Sequence, residues 1–237
     1  MGAEQIHPIY SMANIFLIVE GETEEQFYKN QLVQAYRLPD GSYNHYFTVR
    51  LIPNKRGNYS RSGSGGQASY DSCIDIVKRF LRQATHCELV VLILDYYGLH
   101  HTFKNHLSSQ QIDLKQKIEA VQERLERDIN SPKFKFRLQV HEFEAYLFSD
   151  PAIVVSHFGK TEKLDELKAV LAAFDNNPEL INDNIETAPS KRLKTLFPEF
   201  RKTSDGLLIA QKTGVPTIRK KCLYFNELCN LFDEVGA

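Results

Sequence analysis

The sequence predicts an α/β fold: a mostly parallel sheet flanked by helices, followed by a mostly helical C-terminal part. Three observations carry this. Ile15-Phe16-Leu17-Ile18-Val19 and Leu89-Val90-Val91-Leu92-Ile93-Leu94 are unbroken apolar runs with the length and β-branched content of strands buried on both faces. Each is followed, after a turn or loop, by an amphipathic stretch, so strand and helix patterns alternate through about residue 150. Beyond Asp150-Pro151 the strand patterns stop and helical ones continue to the end. We therefore expect an α/β core over residues 1–150 and a helical extension over 151–237 packed on it.

The elements follow in order. The first strand ends at Glu20-Gly21, and Thr23-Glu24-Glu25-Gln26 fits a capping box with Thr23 as N-cap and Gln26 three residues on. Phe27, Leu32 and Ala35 extend that helix to about Tyr36, and Leu38-Pro39-Asp40-Gly41 is turn chemistry. Residues 46–52 alternate as a second strand, and the Gly- and Ser-rich stretch 57–66 reads as a flexible loop flanked and interrupted by Arg56 and Arg61. Tyr70 to Gln83 is amphipathic, with Cys73, Ile76, Val77, Phe80 and Leu81 on one side. The strand from Leu89 ends on Asp95, and the polar loop after it holds His100, His101 and His106. Leu114 to Ile129 is a charged amphipathic helix, and Phe134 to Val140 a fourth strand that delivers His141-Glu142-Phe143-Glu144. Residues 163–174 and 222–235 are helical, and the segment 191–221 between them is rich in Lys and Arg.

Composition bounds the function. The chain has 237 residues, 42% of them hydrophobic, enough for a packed core, and its formal net charge is −1. Bulk charge therefore supplies no pull toward nucleic acid or membrane, and polyanion binding must come from a local patch. The cysteines, Cys73, Cys87, Cys222 and Cys229, form no CxxC pair and no zinc spacing, which suits reduced thiols in a cytoplasmic protein. No apolar run approaches the roughly 18 residues of a spanning helix, and the first ten residues lack the apolar centre of a secretion signal.

The chemistry is expected at the strand ends. Right-handed crossovers bring the C-termini of parallel strands to one edge, where open α/β sheets place their ligands. Glu20, Asp95 and the pair Glu142 and Glu144 each follow an apolar strand, and Mg²⁺ prefers such oxygen ligands. Glu22, Glu24 and Glu25 are explained by the helix dipole, which favours acids in a first turn. Glu142 and Glu144 share a face if the strand runs through them; if a helix starts at His141 they point roughly 200° apart and one of them reaches the site. Pro189-Ser190-Lys191-Arg192 sets two cations at a helix start, where backbone N–H groups and basic side chains can hold phosphate together. Lys212 and the loop arginines Arg56 and Arg61 are further candidates for phosphate contact.

Four segments taken together resemble a TOPRIM-related bacterial family of unknown function (DUF4276-like), whose members often neighbour ABC- or OLD-type ATPases in phage-defence loci. They are Val19-Glu20-Gly21-Glu22-Thr23-Glu24, Leu94-Asp95-Tyr96-Tyr97-Gly98-Leu99, His141-Glu142-Phe143-Glu144-Ala145 and Glu186-Thr187-Ala188-Pro189-Ser190-Lys191-Arg192. Ile218-Arg219, Cys222 and Phe225 extend the likeness nearly to the end. The resemblance implies a Rossmann-like sheet with Mg²⁺ or Mn²⁺ on Glu20 and Asp95. A TOPRIM pattern carries another acid two residues after the first aspartate, where this chain has Tyr97, so Glu142 or Glu144 is left to complete the shell. The implied activity is metal-dependent phosphodiester hydrolysis of DNA or RNA, with Lys191 and Arg192 on phosphate. The implied partners are nucleic acid, an ABC- or OLD-type ATPase and a second copy of the chain; a non-catalytic module docking on the ATPase is the competing expectation.

Overall fold

The computed structural model describes residues 12–53, 68–106, 113–140, 142–181 and 187–235. Four strands, β1 (Ala13–Val19), β2 (His45–Leu51), β3 (Leu89–Asp95) and β4 (Phe134–Gln139), form one sheet in the order β2-β1-β3-β4. All three pairings are parallel, with Val19 opposite Leu51 and Ile93, and Asp95 opposite Gln139. This is the mostly parallel, helix-flanked architecture that the alternating patterns predict.

The period-two alternation of a strand sorts β1 onto two cores. Ala13, Ile15, Leu17 and Val19 face one side; Phe16 and Ile18 face the other. The second side is covered by α3 (Tyr70–Gln83) and α4 (Leu114–Ile129), the two crossover helices that follow β2 and β3. On the first side lies the crossover helix between β1 and β2, together with nearly everything after residue 142. Residues beyond 150 thus share one continuous core with that face of the sheet.

The helix after β1 starts two residues earlier than the capping-box reading places it. α1 (Glu22–Phe27) has Gly21 as its N-cap, and the Glu25 amide bonds the Gly21 carbonyl at 3.0 Å. Thr23 therefore lies inside the first turn. The turn out of β1 is short, made by Glu20 and Gly21; the acids Glu22, Glu24 and Glu25 then sit at the positive end of the helix dipole. A π-helical turn, Tyr28–Leu32, leads into α2 (Val33–Ala35). It keeps Phe27, Tyr28 and Leu32 facing the core in succession.

After β4 the chain enters a 3₁₀-helix, Phe143–Ser149, every residue of which is buried. α5 (Pro151–Phe158) and α6 (Leu164–Ala172) follow, and then the 3₁₀ turn Pro178–Leu180. α7 (Pro189–Leu196), α8 (Lys202–Thr213), α9 (Val215–Lys221) and α10 (Leu223–Glu234) complete the fold. Gly214, at φ +79°, makes the sharp junction between α8 and α9, a conformation that L side chains rarely adopt. Glu179 is almost fully buried and caps α10 from a distance, accepting the Tyr224 amide at 2.8 Å and the Phe225 amide at 3.0 Å. Burial pushes its carboxyl up to about 7 despite those hydrogen bonds. All four cysteines are free and buried. Among the described residues no helix is long and apolar enough to cross a membrane.

Candidate functional site

The chain turns to opposite sides after β1 and after β2, so strand order reverses between β1 and β3. An open sheet splits there into a crevice at its C-terminal edge. Glu20 and Asp95 flank that crevice, and the Asp95 backbone N–H donates to the Glu20 carboxylate. Burial pushes the Glu20 carboxyl up against this hydrogen bond.

Three further carboxylates face the same place. Glu24 folds back from α1 over Gly21, so closely that a Cβ on residue 21 would lie 2.0 Å from Glu24 Oε2. Its carboxyl is raised by burial first, then by the negative charge of Glu20, with Lys202 opposing. Asp95 is raised well above the ordinary carboxylate range, first by burial, then by the charges of Glu24, Glu20, Glu144 and Glu142. All five acids therefore repel across one site.

Both readings of the Glu142-Phe143-Glu144 segment meet a third outcome. A helix does begin there, but Glu142 is its extended N-cap (φ −52°, ψ 153°) and only Glu144 lies inside. Both carboxylates then reach one cation: Lys202 Nζ lies 3.2 Å from Glu142 Oε1 and 3.5 Å from Glu144 Oε2. Glu142 also accepts the Ser190 N–H at 3.2 Å. Burial opposes its ionisation, but the bonds from Ser190 and Lys202 win, and its carboxyl sits below the ordinary value. Glu144, only 3% exposed, is pushed up to about 7 by burial, with Lys202 pulling the other way.

Beneath Asp95 lies a buried polar chain. Gln139 Nε2 donates to Asp95 Oδ1 at 3.0 Å, and Tyr146 O–H donates to Gln139 Oε1 at 3.1 Å. The tyrosine thereby fixes which end of the amide faces the acid. Gln139 is 5% exposed and Tyr146 2%.

The structure thus brings together Glu20, Asp95, Glu142 and Glu144, and adds Glu24, Gln139, Ser190 and Lys202. Of the expected phosphate contacts among the described residues, Lys212 and Arg192 make other contacts. Lys212 lies ten residues along α8 from Lys202, about 15 Å at the rise of an α-helix, and its Nζ is 3.5 Å from His157 Nδ1. Arg192 donates to the Thr187 carbonyl at 2.7 Å and lies over the Phe174 ring, so it braces the entry to α7. The start of α7, expected to hold phosphate, holds the Glu142 carboxylate through Ser190. Lys191 is exposed next to Ser190. Tyr97, where a TOPRIM pattern has its second acid, is 56% exposed, with its ring edge-on to Tyr96. His100 Nδ1 is 2.9 Å from Thr102 Oγ1 in the turn that precedes the 3₁₀-helix His101–His106. Arg56, Arg61 and His141 lie outside the described residues.

Among the described residues, no three His, Cys, Asp or Glu side chains stand ready-spaced around one ion. The donor set is nevertheless all carboxylate oxygen, which suits Mg²⁺ or Mn²⁺ and not a thiophilic metal. Glu24, Asp95 and Glu144 are also held above their ordinary range, first by burial and further by the charge of neighbouring carboxylates, which a divalent cation would offset. By donor chemistry and charge, the residues fit such an ion.

A parallel sheet whose switch-point crevice is lined by acids defines an α/β protein with an acidic site at its C-terminal edge. The chain belongs to the family described as a domain of unknown function (DUF4276), which matches residues 19–232. That is the family the four motifs indicate. No curated protein matches the chain. Among solved structures it is similar to the C-terminal region of the OLD protein of Xanthomonas campestris pv. campestris. For the structure phased with iodine, identity is 13%, coverage 95% of this chain and 99% of that one, and the TM-score 0.34. For the one phased with mercury, identity is 12%, coverage 95% and 100%, and the TM-score 0.35.

Proposed function

We propose that this protein is a Mg²⁺- or Mn²⁺-dependent nuclease of TOPRIM type that hydrolyses phosphodiester bonds of DNA or RNA. The observation that supports it is the gathering of five carboxylates and one ammonium at the β1/β3 crevice, from four segments of the chain. A structural salt-bridge network has no use for five acids against one lysine, since each buried acid left uncompensated is costly. In this reading Glu20, Asp95 and Glu24 hold the metal, and Glu142 and Glu144 close the acidic side of the site. The bound ion would supply charge neutralisation at the attacked phosphate and a more acidic water.

The protein's own groups account for the rest. Hydrolysis joins a water oxygen to phosphorus as the bond to the departing sugar oxygen breaks, and a water proton ends on that oxygen. Glu144, with its carboxyl near 7, takes up and returns a proton at neutral pH, the range in which such transfer is most efficient. Gln139 and Tyr146 hold Asp95 in one orientation. Lys191, exposed beside Ser190, meets a flanking phosphate.

The test is cleavage of DNA and RNA by purified protein in Mg²⁺ or Mn²⁺. Glu20→Gln and Asp95→Asn are expected to abolish cleavage, and full activity in both variants would overturn the site. The family resemblance further supports an antiphage effector acting with an ABC- or OLD-type ATPase, which co-purification of the two proteins would test. Tyr97 at the position of the second acid favours one other reading, a non-catalytic module docking on that ATPase. Absence of any binding at millimolar Mn²⁺, alone or with the ATPase, would support that module instead.

A further inference from the structure

The chain of donors beneath Asp95 ends at a hydroxyl. Gln139 Nε2 donates to Asp95 Oδ1, and Tyr146 commits its one O–H proton to Gln139 Oε1. The Tyr146 oxygen keeps its capacity to accept. Its neighbour is Tyr28, in the π-helical turn that continues α1, and a charge on either tyrosine would hold back ionisation of the other. Tyr28 is 1% exposed, and its buried hydroxyl has no well-directed hydrogen bond to any protein group. A buried hydroxyl left in that state is costly, and native folds rarely contain one. Tyr28, Tyr146 and Gln139 together line a pocket of about 10 Å³ where the ends of β3 and β4 meet α10, with Ile93, Phe225 and Leu228 as apolar walls.

We propose that this pocket is a binding site for one ordered water molecule, which accepts a hydrogen bond from Tyr28 and donates one to Tyr146. A single water needs roughly 10–15 Å³ and two to four polar partners, and a pocket walled only by apolar groups stays dry. Here two hydroxyls and an amide line a space of about that size. Proton counting sets the direction of each bond. Tyr146 has given its proton to Gln139, so toward the pocket it can only accept; Tyr28 has a proton and lacks an acceptor. A water serves both. Arg137 also lines the pocket, but it offers donors only and directs one of them to Glu126. With the water in place the bonds run in one sense, from Tyr28 through the water, Tyr146 and Gln139 to Asp95, and each polarises the next. They do so whether or not a metal binds in the crevice above.

The experiment joins crystallography of the full chain, at a resolution that orders waters, to thermal melts. A water is expected within about 2.5–3.0 Å of both the Tyr28 and the Tyr146 hydroxyl oxygens. Tyr28→Phe keeps the ring and removes only the hydroxyl. It should lower the melting temperature by about 2–4 °C, the shift that loss of one hydrogen bond gives in a chain of this size. Because Tyr28 and Tyr146 share the water, the losses of Tyr28→Phe and Tyr146→Phe should fall short of their sum in the double variant. A melting temperature equal to or above wild type in Tyr28→Phe would mark an orphan hydroxyl and overturn the proposal, as would full additivity in the double variant. A dry pocket, or a Tyr28 hydroxyl bonded directly to Tyr146, would overturn it too. If a variant does not fold, the wild-type crystal structure decides: the bridging water supports the proposal, and its absence refutes it.

Discussion

Gly21→Ala is the substitution that tests the acidic site with the least collateral change. Gly21 has φ −109° and ψ 153°, extended backbone that alanine adopts without strain. The new methyl carbon would lie 2.0 Å from Glu24 Oε2, 3.0 Å from Glu24 Cδ and 3.6 Å from Glu24 Oε1, so its three nearest contacts all belong to that carboxylate. To regain ordinary contact at 3.4 Å the carboxylate oxygen must retreat by about 1.4 Å. It is the flexible end of a side chain, so the fold tolerates this, and stability should change by less than about 1 kcal/mol. A ligand displaced by more than 1 Å is another matter, since losses of about 10- to 100-fold accompany such misplacement. We expect Mn²⁺ affinity, measured by calorimetry, to fall by about that factor in Gly21→Ala with the melting temperature nearly unchanged. The loss should not add to that of Glu24→Ala in the double variant, because the methyl group acts only through that carboxylate. Wild-type Mn²⁺ affinity in a folded Gly21→Ala protein would refute Glu24 as a ligand, and full additivity would refute the route through it.

Three further outcomes follow from the geometry. Lys212→Ala, whose lysine lies against His157 about 15 Å along α8 from the site, should leave the proposed cleavage within about twofold of wild type; a loss comparable to that of Glu20→Gln would return Lys212 to the phosphate site. Glu179 has a folded pKa of about 7, raised above 4.5, so its contribution to stability is fully present below about pH 4.5 and is lost as pH rises through about 7. At about 1.4 kcal/mol per pH unit, wild type should lose about 3 kcal/mol more than Glu179→Gln between pH 4.5 and pH 8, and parallel urea midpoints for the two proteins would contradict this. Phe27→Ala empties a fully buried ring site against Phe143, Tyr146 and Phe225, directly under α1, and should cost about 3–5 kcal/mol in urea unfolding; a cost under 1 kcal/mol would show that the aromatic cluster is not cohesive.

Much of the fold was legible because burial on both faces of a parallel sheet writes itself as unbroken apolar runs. β3 is foreseen from Leu89 to Asp95, and α3 and α4 from Tyr70 to Gln83 and Leu114 to Ile129, by strong periodicity. Glu20 and Asp95 stood out because a carboxylate at the end of such a run has no local reason to be there. Glu24 was hidden by an adequate local explanation, the helix dipole. What distinguishes it is its position three residues after a glycine that leaves room for its return, a weak signal beside three neighbouring acids. Lys202 was hidden in a run of lysines and arginines that resembles a solvated face. Its reach depends on α8 lying against the 3₁₀-helix, with Gly206 within 3.6 Å of Phe143 if it carried a Cβ, a tertiary fact with no periodic trace. Gln139 and Tyr146 read as ordinary strand and core residues, since nothing local indicates that they bond each other and Asp95. In the basic segment, Lys212 and Arg192 lie against His157, Thr187 and Phe174, contacts with no trace in the local sequence.

The sheet and the helices after residue 150 share one core, and that layer carries Ser190, whose N–H bonds Glu142, and Lys202, the cation paired with Glu142 and Glu144. Five carboxylates are therefore made in the first 144 residues of the chain, while their compensating cation is made almost sixty residues later. During synthesis, at about 5–20 residues per second, the nascent sheet presents an uncompensated acidic crevice for several seconds. Until α8 emerges and docks, Glu142 and Glu144 have no ammonium and Asp95 sits among unscreened like charges. The final electrostatic state of the crevice therefore waits on Lys202, which alone among the described residues pairs with Glu142 and Glu144.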